Sequence, residues 1–330
     1  MGEKWKKIFL LTLCFYFVYL LKRKYISTTN FQYSDFIVNF KYTINSKNHG
    51  FYHIDFSKLY SSQEYYDLIQ CRESLKYDVA TTICVNNIQD DTSISGDFWK
   101  NGVWKPDVLQ RFLEFVKQNP DWLVIDIGPK IGQFTLFASK LGSRVLSVEP
   151  FHENTLRIHK AVRNESLEDK VILIQNAISD QSGEVLKYPR LLGNLAGNIW
   201  FRHKSPKYTK KDMENDKFLT ETITLEDLID VIPSKFDGTK YQKALIRFDI
   251  EGYEPYAFKR AQSLFNEMDV QVIFMEWMHF PRYVKYQHLV ENMIRFLIQR
   301  NMQPYSNETR LDVSDWKNWP FDIYWVKIKN

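Results

Sequence analysis

The stretch VIDIGPKIGQFTL, residues 124–136, combines the end of a buried strand, a glycine-containing turn and the start of a helix. Asp126 stands two residues before the first glycine, Gly128, and Gly132 follows four residues later. Turns of this kind bind nucleotide cofactors because the free N–H groups at the start of the helix point at the ligand. The stretch therefore predicts a cofactor-binding turn, and its glycine spacing bears on which cofactor it holds.

Strands and helices alternate on both sides of this turn. Hydrophobic periodicity predicts strands over residues 123–127, 144–148, 171–174, 244–250, 270–276 and 323–328, and helices over residues 107–118, 132–141, 154–162, 224–232, 255–265 and 286–301. Such alternation is typical of a mostly parallel sheet with helices on both faces. We therefore expect an α/β domain, for which 330 residues are sufficient.

The acidic residues near the turn favour one cofactor class over another. A dinucleotide fold needs the pattern G-x-G-x-x-G, and the middle glycine is missing between Gly128 and Gly132. A carboxylate such as Asp126 repels a pyrophosphate but suits a ligand with an amino group and a sulfonium. Glu149 ends the next strand, where an acid can accept hydrogen bonds from ribose hydroxyls. These residues favour S-adenosylmethionine over NAD.

Six motifs follow one another in a recognisable order: VIDIGPKIGQFTL, VLSVEPFHEN, VILIQNAISDQSGEV, TITLEDLI, LIRFDIEGYE and VIFMEW. In this order they resemble the FkbM-type methyltransferase family, from about residue 85 to the C-terminus and most strongly over residues 122–277. The resemblance implies a Rossmann-like class I methyltransferase fold whose sheet ends in an antiparallel strand, here residues 323–328. It also implies methyl transfer from S-adenosylmethionine to the hydroxyl or carboxyl oxygen of a sugar or small molecule.

The resemblance also implies a set of cofactor-binding residues. These are Asp126, Gly128 and Gly132 at the methionine end of the cofactor, Glu149 at the ribose, and Asn176, Ala177, Ser179 and Asp180 near the adenine. A bland interpretation stays open for some of them: the glycines only permit the turn, and Asp180 only shapes a turn with Gly183. The two strand-end acids are harder to explain that way, since strand ends at a switch point of an α/β sheet face the ligand crevice.

An alcohol acceptor must lose a proton, so a base is expected within hydrogen-bond reach of it. The candidates Asp249, Glu251 and His279, with Glu276 beside them, lie at or just beyond predicted strand ends. Alternatively, Glu251 satisfies backbone donors at the next helix start, and His279 is structural. Because Asp249 and Glu251 alone are too few ligands for a divalent cation, no metal site is predicted.

Three residues depart from the family pattern. The family commonly reads Gly-Ala-Asn-Ile-Gly where this chain has Pro129 and Lys130 between its glycines, and Lys105 stands where an acidic residue is expected. Pro129 removes one backbone N–H from the turn. Lys130 brings a cation close either to the sulfonium, which is unfavourable, or to the methionine carboxylate, which is favourable. The alternative function is therefore a catalytically weak or inactive membrane-anchored binding or scaffold protein that retains the fold.

The N-terminus predicts a membrane anchor. Residues 8–21 are apolar, with lysines before them and Lys-Arg-Lys after them. Fourteen helical residues span about 21 Å, and snorkelling lysines extend this reach toward the roughly 30 Å hydrocarbon core. A cleaved signal peptide is the alternative. We expect a cytoplasmic tail (1–7), a signal anchor (8–21), a stem and lead-in (22–84) and a lumenal methyltransferase domain (85–330), in a single-pass type II protein of the Golgi or endoplasmic reticulum.

Three further observations concern partners. The formal net charge of +4 is scattered, so no nucleic-acid partner is expected. Lumenal placement favours a glycan acceptor over other hydroxyl-bearing small molecules. Residues 191–217 are expected to form a lid or acceptor loop. Its Trp200, Phe201 and His203 either stack on a sugar ring or pack the loop against the domain. The oligomeric state is left open.

Cysteines and glycosylation sequons bear on the compartment. Cys71 and Cys84 either close a small loop in an oxidising lumen or remain two unconnected thiols. Asn164-Glu-Ser and Asn307-Glu-Thr are sequons, but about two are expected by chance in a chain of this composition. Neither feature decides the compartment alone.

Overall fold

A mixed β-sheet forms the centre of the protein. The computed structural model describes residues 41–44, 50–188, 208–282 and 286–328. Within these ranges the strands are β1 (Lys41–Ile44), β2 (Gly50–His53), β3 (Cys71–Glu73), β4 (Thr82–Cys84), β5 (Leu123–Ile127), β6 (Val145–Val148), β7 (Val171–Ile174), β8 (Ala177–Ile178), β9 (Val185–Lys187), β10 (Leu219–Ile223), β11 (Lys243–Phe248), β12 (Asp269–Glu276), β13 (Met302–Ser306), β14 (Thr309–Arg310) and β15 (Asp322–Lys327). The main sheet has the order β1-β2-β7-β6-β5-β11-β12-β15-β13-β14.

Helices cover both faces of this sheet. They are α1 (Gln63–Leu68), α2 (Asp97–Asn101), α3 (Pro106–Gln118), α4 (Gln133–Lys140), α5 (His152–Asn164), α6 (Lys210–Met213), α7 (Glu254–Ala257), α8 (Gln262–Glu267) and α9 (Gln287–Ile298). Two large apolar cores result: one includes Ile125, Ile246 and Trp277, and the other includes Val124, Phe112 and Phe134. Alternate residues of the central strands thus point into opposite cores, which is why these strands are apolar almost throughout.

The centre of the sheet is parallel and its C-terminal part is not. Strands β7, β6, β5, β11 and β12 run parallel to one another. Strand β15 pairs antiparallel with β12, with Val272 opposite Val326. The expected parallel centre with an antiparallel strand beside it is confirmed, but β15 does not close the sheet, because β13 and β14 lie beyond it and β1 and β2 add antiparallel pairs at the other edge. Successive strands leave β5 in opposite directions, to β6 on one side and β11 on the other, so the carboxyl end of β5 is a switch point where a crevice opens.

Two predicted helices differ from expectation. Residues 224–232 form only a 3₁₀ helix, Asp227–Val231, although the Thr224 N–H and hydroxyl both donate to Asp227 Oδ2, as at the start of a helix. The predicted helix over 255–265 is divided into α7, a 3₁₀ turn and α8. Phe258 in that turn packs against the rings of Phe248, Phe265 and Phe296. This tertiary packing outweighs the continuous helical pattern of the sequence.

The lead-in belongs to the same folded unit. Strand β2 joins the sheet beside β7, and the side chains of Phe51 and Tyr60 are 2% and 1% exposed. The predicted domain boundary at residue 85 therefore falls inside this core. Among residues 41–44, 50–188, 208–282 and 286–328, no helix is long and apolar enough to cross a membrane. The predicted anchor at residues 8–21 and the side chains of Trp200, Phe201 and His203 lie outside the described residues.

A disulfide joins Cys71 and Cys84, which stand directly opposite each other on β3 and β4. The structure thus forms the pairing that the sequence left open. Asn164 at the end of α5 contacts this bridge, with its Nδ2 3.8 Å from the Sγ of Cys71. The bridge closes a short loop of the lead-in against the main domain.

Replacing both cysteines by alanine should lower the free energy of unfolding by about 3 kcal/mol, because a loop of this length loses that much closure entropy in the unfolded chain. Urea unfolding of the variant and of the wild type measures the difference. Wild-type protein unfolded in the presence of a reductant serves as the control and should match the variant. Equal midpoints for oxidised wild type and variant would contradict a stabilising bridge.

Candidate active site

A crevice lies over the carboxyl ends of β5, β6 and β11. The empty space between its walls, counted together with the solvent at its open mouth, is about 530 Å³. The lining consists of Ile127, Gly128, Lys130, Val148, Glu149, Pro150, Phe151, Ile178, Tyr188, Asp249, Ile250, Glu251 and Tyr253. Four of these carry charge, and the rest are mostly apolar or aromatic. Ile178 and Tyr188 were not predicted, because the sequence does not show that the loops carrying them fold back over the crevice.

The glycines shape the floor of the crevice. Gly128 has a φ of 79°, and a Cβ there would lie 2.0 Å from the backbone oxygen of Asp249. The turn can approach β11 only because this residue has no side chain. Gly132 has a φ of 87° and caps α4; a Cβ on it would lie 2.8 Å from Cγ1 of Ile158. Gly132 therefore acts in helix packing and does not line the crevice.

Asp126 lies beneath the crevice and does not line it. Its side chain is fully buried, and Oδ1 accepts a hydrogen bond from Arg247 Nη1 at 3.0 Å. Oδ2 accepts one from the Thr135 hydroxyl at 2.7 Å. Both oxygens are thus hydrogen-bonded to neighbouring side chains. Asp126 is connected to the crevice only through its hydrogen bond with Arg247.

Arg247 connects the buried acids to the crevice. From near the carboxyl end of β11 it donates to Asp126, to the Gly128 carbonyl at 3.1 Å and to Asp249 Oδ2 at 2.6 Å. Its guanidinium also lies 4.2 Å from the centre of the Phe134 ring. Sequence reasoning overlooked this residue. A signal was available, since an arginine inside an otherwise apolar strand must be paired to be buried.

Lys130 extends into the crevice. Its backbone has a φ of 58°, a left-handed conformation that asparagine tolerates better than lysine. Its Nζ lies 2.6 Å from Glu251 Oε1 and 3.4 Å from Asp249 Oδ1, and the residue is 5% exposed. Burial by itself lowers the pKa of Lys130, but these carboxylates outweigh burial and raise it, so the side chain stays charged.

Glu149 lines the opposite wall. One carboxylate oxygen accepts hydrogen bonds from the Phe151 N–H and from Asn154 Nδ2, and the other accepts from the Lys130 N–H. A carboxylate has about four acceptor positions, so one position remains for a ligand. Burial raises the pKa of Glu149 to about 7 despite these donors.

The predicted adenine-side residues have different surroundings. The Asn176 carboxamide bonds to Tyr52 N–H, to the Gly50 carbonyl and to the Glu221 carbonyl, which ties β2 to β10. Ala177 and Ser179 are buried in and after β8, and Asp180 pairs with Lys259 at 3.0 Å. None of these four lines the crevice as the described residues form it, although their neighbour Ile178 does.

Asp249 presents an incompletely bonded oxygen to the crevice. The residue is 2% exposed, and Arg247 holds its Oδ2. Its Oδ1 has no hydrogen-bond donor among the described residues, with Lys130 Nζ as a neighbouring charge at 3.4 Å. Burial, followed by the nearby Glu276 charge, raises the pKa of Asp249. A buried acceptor of this kind is ready to receive a donor from a ligand.

A second cluster adjoins Asp249. His279 Nε2 lies 3.2 Å from Glu251 Oε2 and 3.1 Å from Glu276 Oε2. Lys105 Nζ holds the other Glu276 oxygen at 2.6 Å and also Asp322 at 2.7 Å. Burial lowers the pKa of His279, but hydrogen bonds to both glutamates outweigh it and raise the value to about 10. His279 is therefore protonated at neutral pH.

This cluster has the residue types of a metal site. Single ligand atoms from Glu251, Glu276 and His279 lie within 4.8 Å of one another. Each glutamate, however, already pairs with a lysine, Lys130 or Lys105, and His279 is protonated between them. Metal ligands must be deprotonated, and these side chains already neutralise one another. The arrangement is that of an internal ion-pair network at the rim of the crevice.

Comparisons with solved structures found weak similarity only. Three solved structures that resemble the chain are an O-methyltransferase from Bacillus cereus in complex with SAH (10% identity, TM-score 0.35, covering 72% of this chain and 99% of that one), the O-methyltransferase TomG from Streptomyces achromogenes in complex with SAM (8%, 0.39, 69% and 82%) and a SAM-dependent methyltransferase from Agrobacterium tumefaciens (9%, 0.38, 78% and 70%). Likeness at this level carries no argument about function. A search of curated proteins gave no match.

The family itself is shown by sequence. A model of the methyltransferase FkbM domain matches residues 126–304, which is more than half of the chain. The match begins at Asp126 below the crevice and includes Lys130, Glu149, Asp249 and His279. The chain therefore belongs to the FkbM methyltransferase family, and its cofactor is S-adenosylmethionine.

Proposed function

We propose that this protein is an O-methyltransferase that methylates a hydroxyl group of a glycan in the lumen of the secretory pathway. The observation that carries the methylation of oxygen is the buried Asp249 Oδ1, an acceptor at the crevice that is ready for a hydroxyl or amino donor. The crevice lies at the switch point of the sheet, where α/β proteins bind their ligands. Each part of the proposal rests on different residues.

The residues on one side of the crevice fit the nucleoside half of S-adenosylmethionine. Glu149 would accept one ribose hydroxyl with its remaining acceptor position. Val148, Phe151 and Ile178 supply apolar walls for a flat purine ring. This half of the site needs no rearrangement of charged side chains.

The other side of the crevice fits the amino-acid end of S-adenosylmethionine only if the Lys130 side chain moves aside. Its ammonium is buried between Glu251 and Asp249, where the amino-acid end of the cofactor is expected from the turn that carries it. A buried ammonium there opposes a sulfonium but attracts a carboxylate. This observation favours, as second candidate, a protein with weak or no catalysis that retains the fold for binding.

Asp249 is the proposed base. S-adenosylmethionine supplies an activated methyl group on a sulfonium, so the chain must mainly position an acceptor hydroxyl and take its proton. Burial raises the pKa of Asp249, which makes it a better proton acceptor than an exposed aspartate. His279 is protonated and Glu251 is paired with Lys130, so neither competes with it in this state.

A lumenal glycan acceptor is supported by two features outside the crevice. The Cys71–Cys84 disulfide is typical of an oxidising compartment. The apolar run at residues 8–21, with basic flanks, is typical of an anchor that places the following domain in the lumen. Sugars are abundant hydroxyl acceptors there. The anchor, Golgi or endoplasmic reticulum location and acceptor remain parts of the proposal.

Calorimetry with S-adenosylmethionine, its demethylated product and NAD tests the function. We expect heat with the first two ligands and none with NAD. Affinity should fall as the pH drops through about 7, because protonation of Glu149 removes the acceptor for the ribose hydroxyl. In the Glu149→Gln variant, binding should be roughly tenfold weaker at pH 8 and no longer vary with pH in this range. If neither S-adenosylmethionine nor its demethylated product binds, the proposed methyltransferase activity is rejected.

Replacing Lys130 by asparagine should raise the affinity for S-adenosylmethionine by about tenfold, which corresponds to about 1.4 kcal/mol. The change removes a buried like charge and suits the left-handed backbone at this position. Calorimetry on both proteins gives the ratio, and Lys117→Asn, at an exposed lysine, is the control. A weaker affinity in Lys130→Asn would show instead that Lys130 holds the methionine carboxylate.

A further inference from the structure

Both glycosylation sequons of the chain lie in exposed turns. Asn164 is the last residue of α5, and Ser166 two residues later is also exposed. Asn307 begins the two-residue turn between β13 and β14, with Thr309 exposed at the start of β14. In each of these two, the asparagine and the serine or threonine that defines the motif are exposed residues.

The backbone turns within both sequons. Ser166 has a φ of 53° and Asn307 a φ of 50°, so the chain reverses direction there instead of continuing its helix or strand. Tight turns of this kind project their side chains away from the surface, and loop tips tolerate large additions. The sequence alone did not show this placement.

The disulfide supplies an independent observation on the compartment. Disulfides persist in the secretory pathway and are rare in the cytosol, and the same pathway modifies Asn-x-Ser/Thr motifs. The Cys71–Cys84 bridge even contacts the first motif, since Asn164 Nδ2 lies 3.8 Å from Cys71 Sγ. A compartment in which this bridge persists is therefore also the one in which exposed sequons meet the glycosylating enzyme.

We propose that Asn164 and Asn307 each carry an N-linked oligosaccharide. In this step the Asn Nδ2 forms a bond to the anomeric carbon of an oligosaccharide, and the bond from that carbon to its lipid pyrophosphate breaks. The pyrophosphate leaves with the electron pair, and the amide loses one proton to a base of the transferase. The proposal shares only the lumenal placement with the proposed function and does not depend on methyl transfer.

The two positions lie at different distances from the crevice. Helix α5 begins beside the crevice and has 13 residues, so its end lies about 18 Å away at 1.5 Å per residue. Strand β13 is four strands from β5 in the sheet, or about 19 Å at 4.8 Å per strand. The Asn164 sugar would therefore cover a surface away from the crevice, and the Asn307 sugar would keep the exposed edge at β14 from pairing with other chains.

The full chain expressed in cultured eukaryotic cells tests this proposal. Digestion with an N-glycosidase should increase the gel mobility, and mass spectrometry should find aspartate in place of asparagine at residues 164 and 307. Asn164→Gln and Asn307→Gln should each remove one glycan, and the double variant should lose both. Ser166→Ala and Thr309→Ala should do the same while keeping the asparagines, which separates loss of the motif from loss of an amide.

The control is Asn215→Gln, an exposed asparagine outside any sequon, which should keep both glycans. Unchanged mobility of the wild type after digestion overturns the proposal. Thiol labelling of the same sample then distinguishes two cases. If the disulfide is intact and no glycan is present, only the proposed glycosylation is rejected. If Cys71 and Cys84 are free thiols, the lumenal placement is rejected as well. Calorimetry with S-adenosylmethionine on that sample reports separately on the proposed function.

Discussion

Replacing Arg247 by methionine should lower the free energy of unfolding by about 3–5 kcal/mol, the largest stability effect expected in this protein. Arg247 is 4% exposed and balances two buried carboxylates, Asp126 and Asp249. Methionine fills similar volume, so the variant mainly leaves both acids without their shared cation. Buried charges that lose their partner destabilise a fold far more than exposed ones do.

Chemical denaturation followed by circular dichroism measures this loss. Arg260→Met is the matched control, because the Arg260–Glu226 pair has an arginine that is 53% exposed and should contribute less than about 1 kcal/mol. Adding Asp126→Asn to Arg247→Met should recover part of the stability, since it removes one of the uncompensated charges. A loss no larger than that of the control would mean that Arg247 does not hold the two acids together.

The position of the crevice could be predicted from sequence, because it follows from the order of elements. Residues 123–127 and 171–174 were predicted with the bounds that the structure has, and the ends of β5, β6 and β11 then meet at one edge. Apolar runs and glycine turns are local signals. They locate the site without showing which side chains point into it.

The side-chain partners could not be predicted, since they depend on contacts between distant residues. Asn176 follows a strand end as an adenine-binding residue would, yet it bonds to β2, some 124 positions earlier. Asp126 has the sequence position of a ligand-binding acid, yet Arg247, 121 positions later, covers it. Both outcomes depend on which polar atoms come within hydrogen-bond distance of each other in the folded core, and the sequence does not show this.

Lys130 illustrates the same limit in the opposite direction. The sequence left two positions open for its ammonium, near the sulfonium or near the methionine carboxylate. The structure adds Glu251 and Asp249 as partners that neither position anticipates. These acids come from the end of β11 and the turn after it, so the rim of the crevice is neutralised by the chain itself. A ligand must compete with this internal pairing, which is why its affinity is a sensitive measure of the site.

Replacing Asp249 by asparagine should reduce the rate of methyl transfer by about 10²–10⁴-fold, the range for loss of a general base. Asparagine keeps the shape and still offers Arg247 an acceptor, but it cannot take a proton from a hydroxyl. S-adenosylmethionine affinity should change much less than the rate. Single-turnover rates and calorimetry on the same preparation separate the two effects.

Glu254→Gln is the matched control for this variant. Glu254 is fully buried outside the lining of the crevice, and burial raises its pKa to about 8, so it is already protonated at neutral pH. Its amide analogue should therefore retain the wild-type rate. If Asp249→Asn also retains that rate, the proton goes elsewhere, and Glu251 becomes the next base to test because only Lys130 and His279 hold it. If the rate falls while binding persists, the free oxygen of Asp249 is the atom that receives the proton.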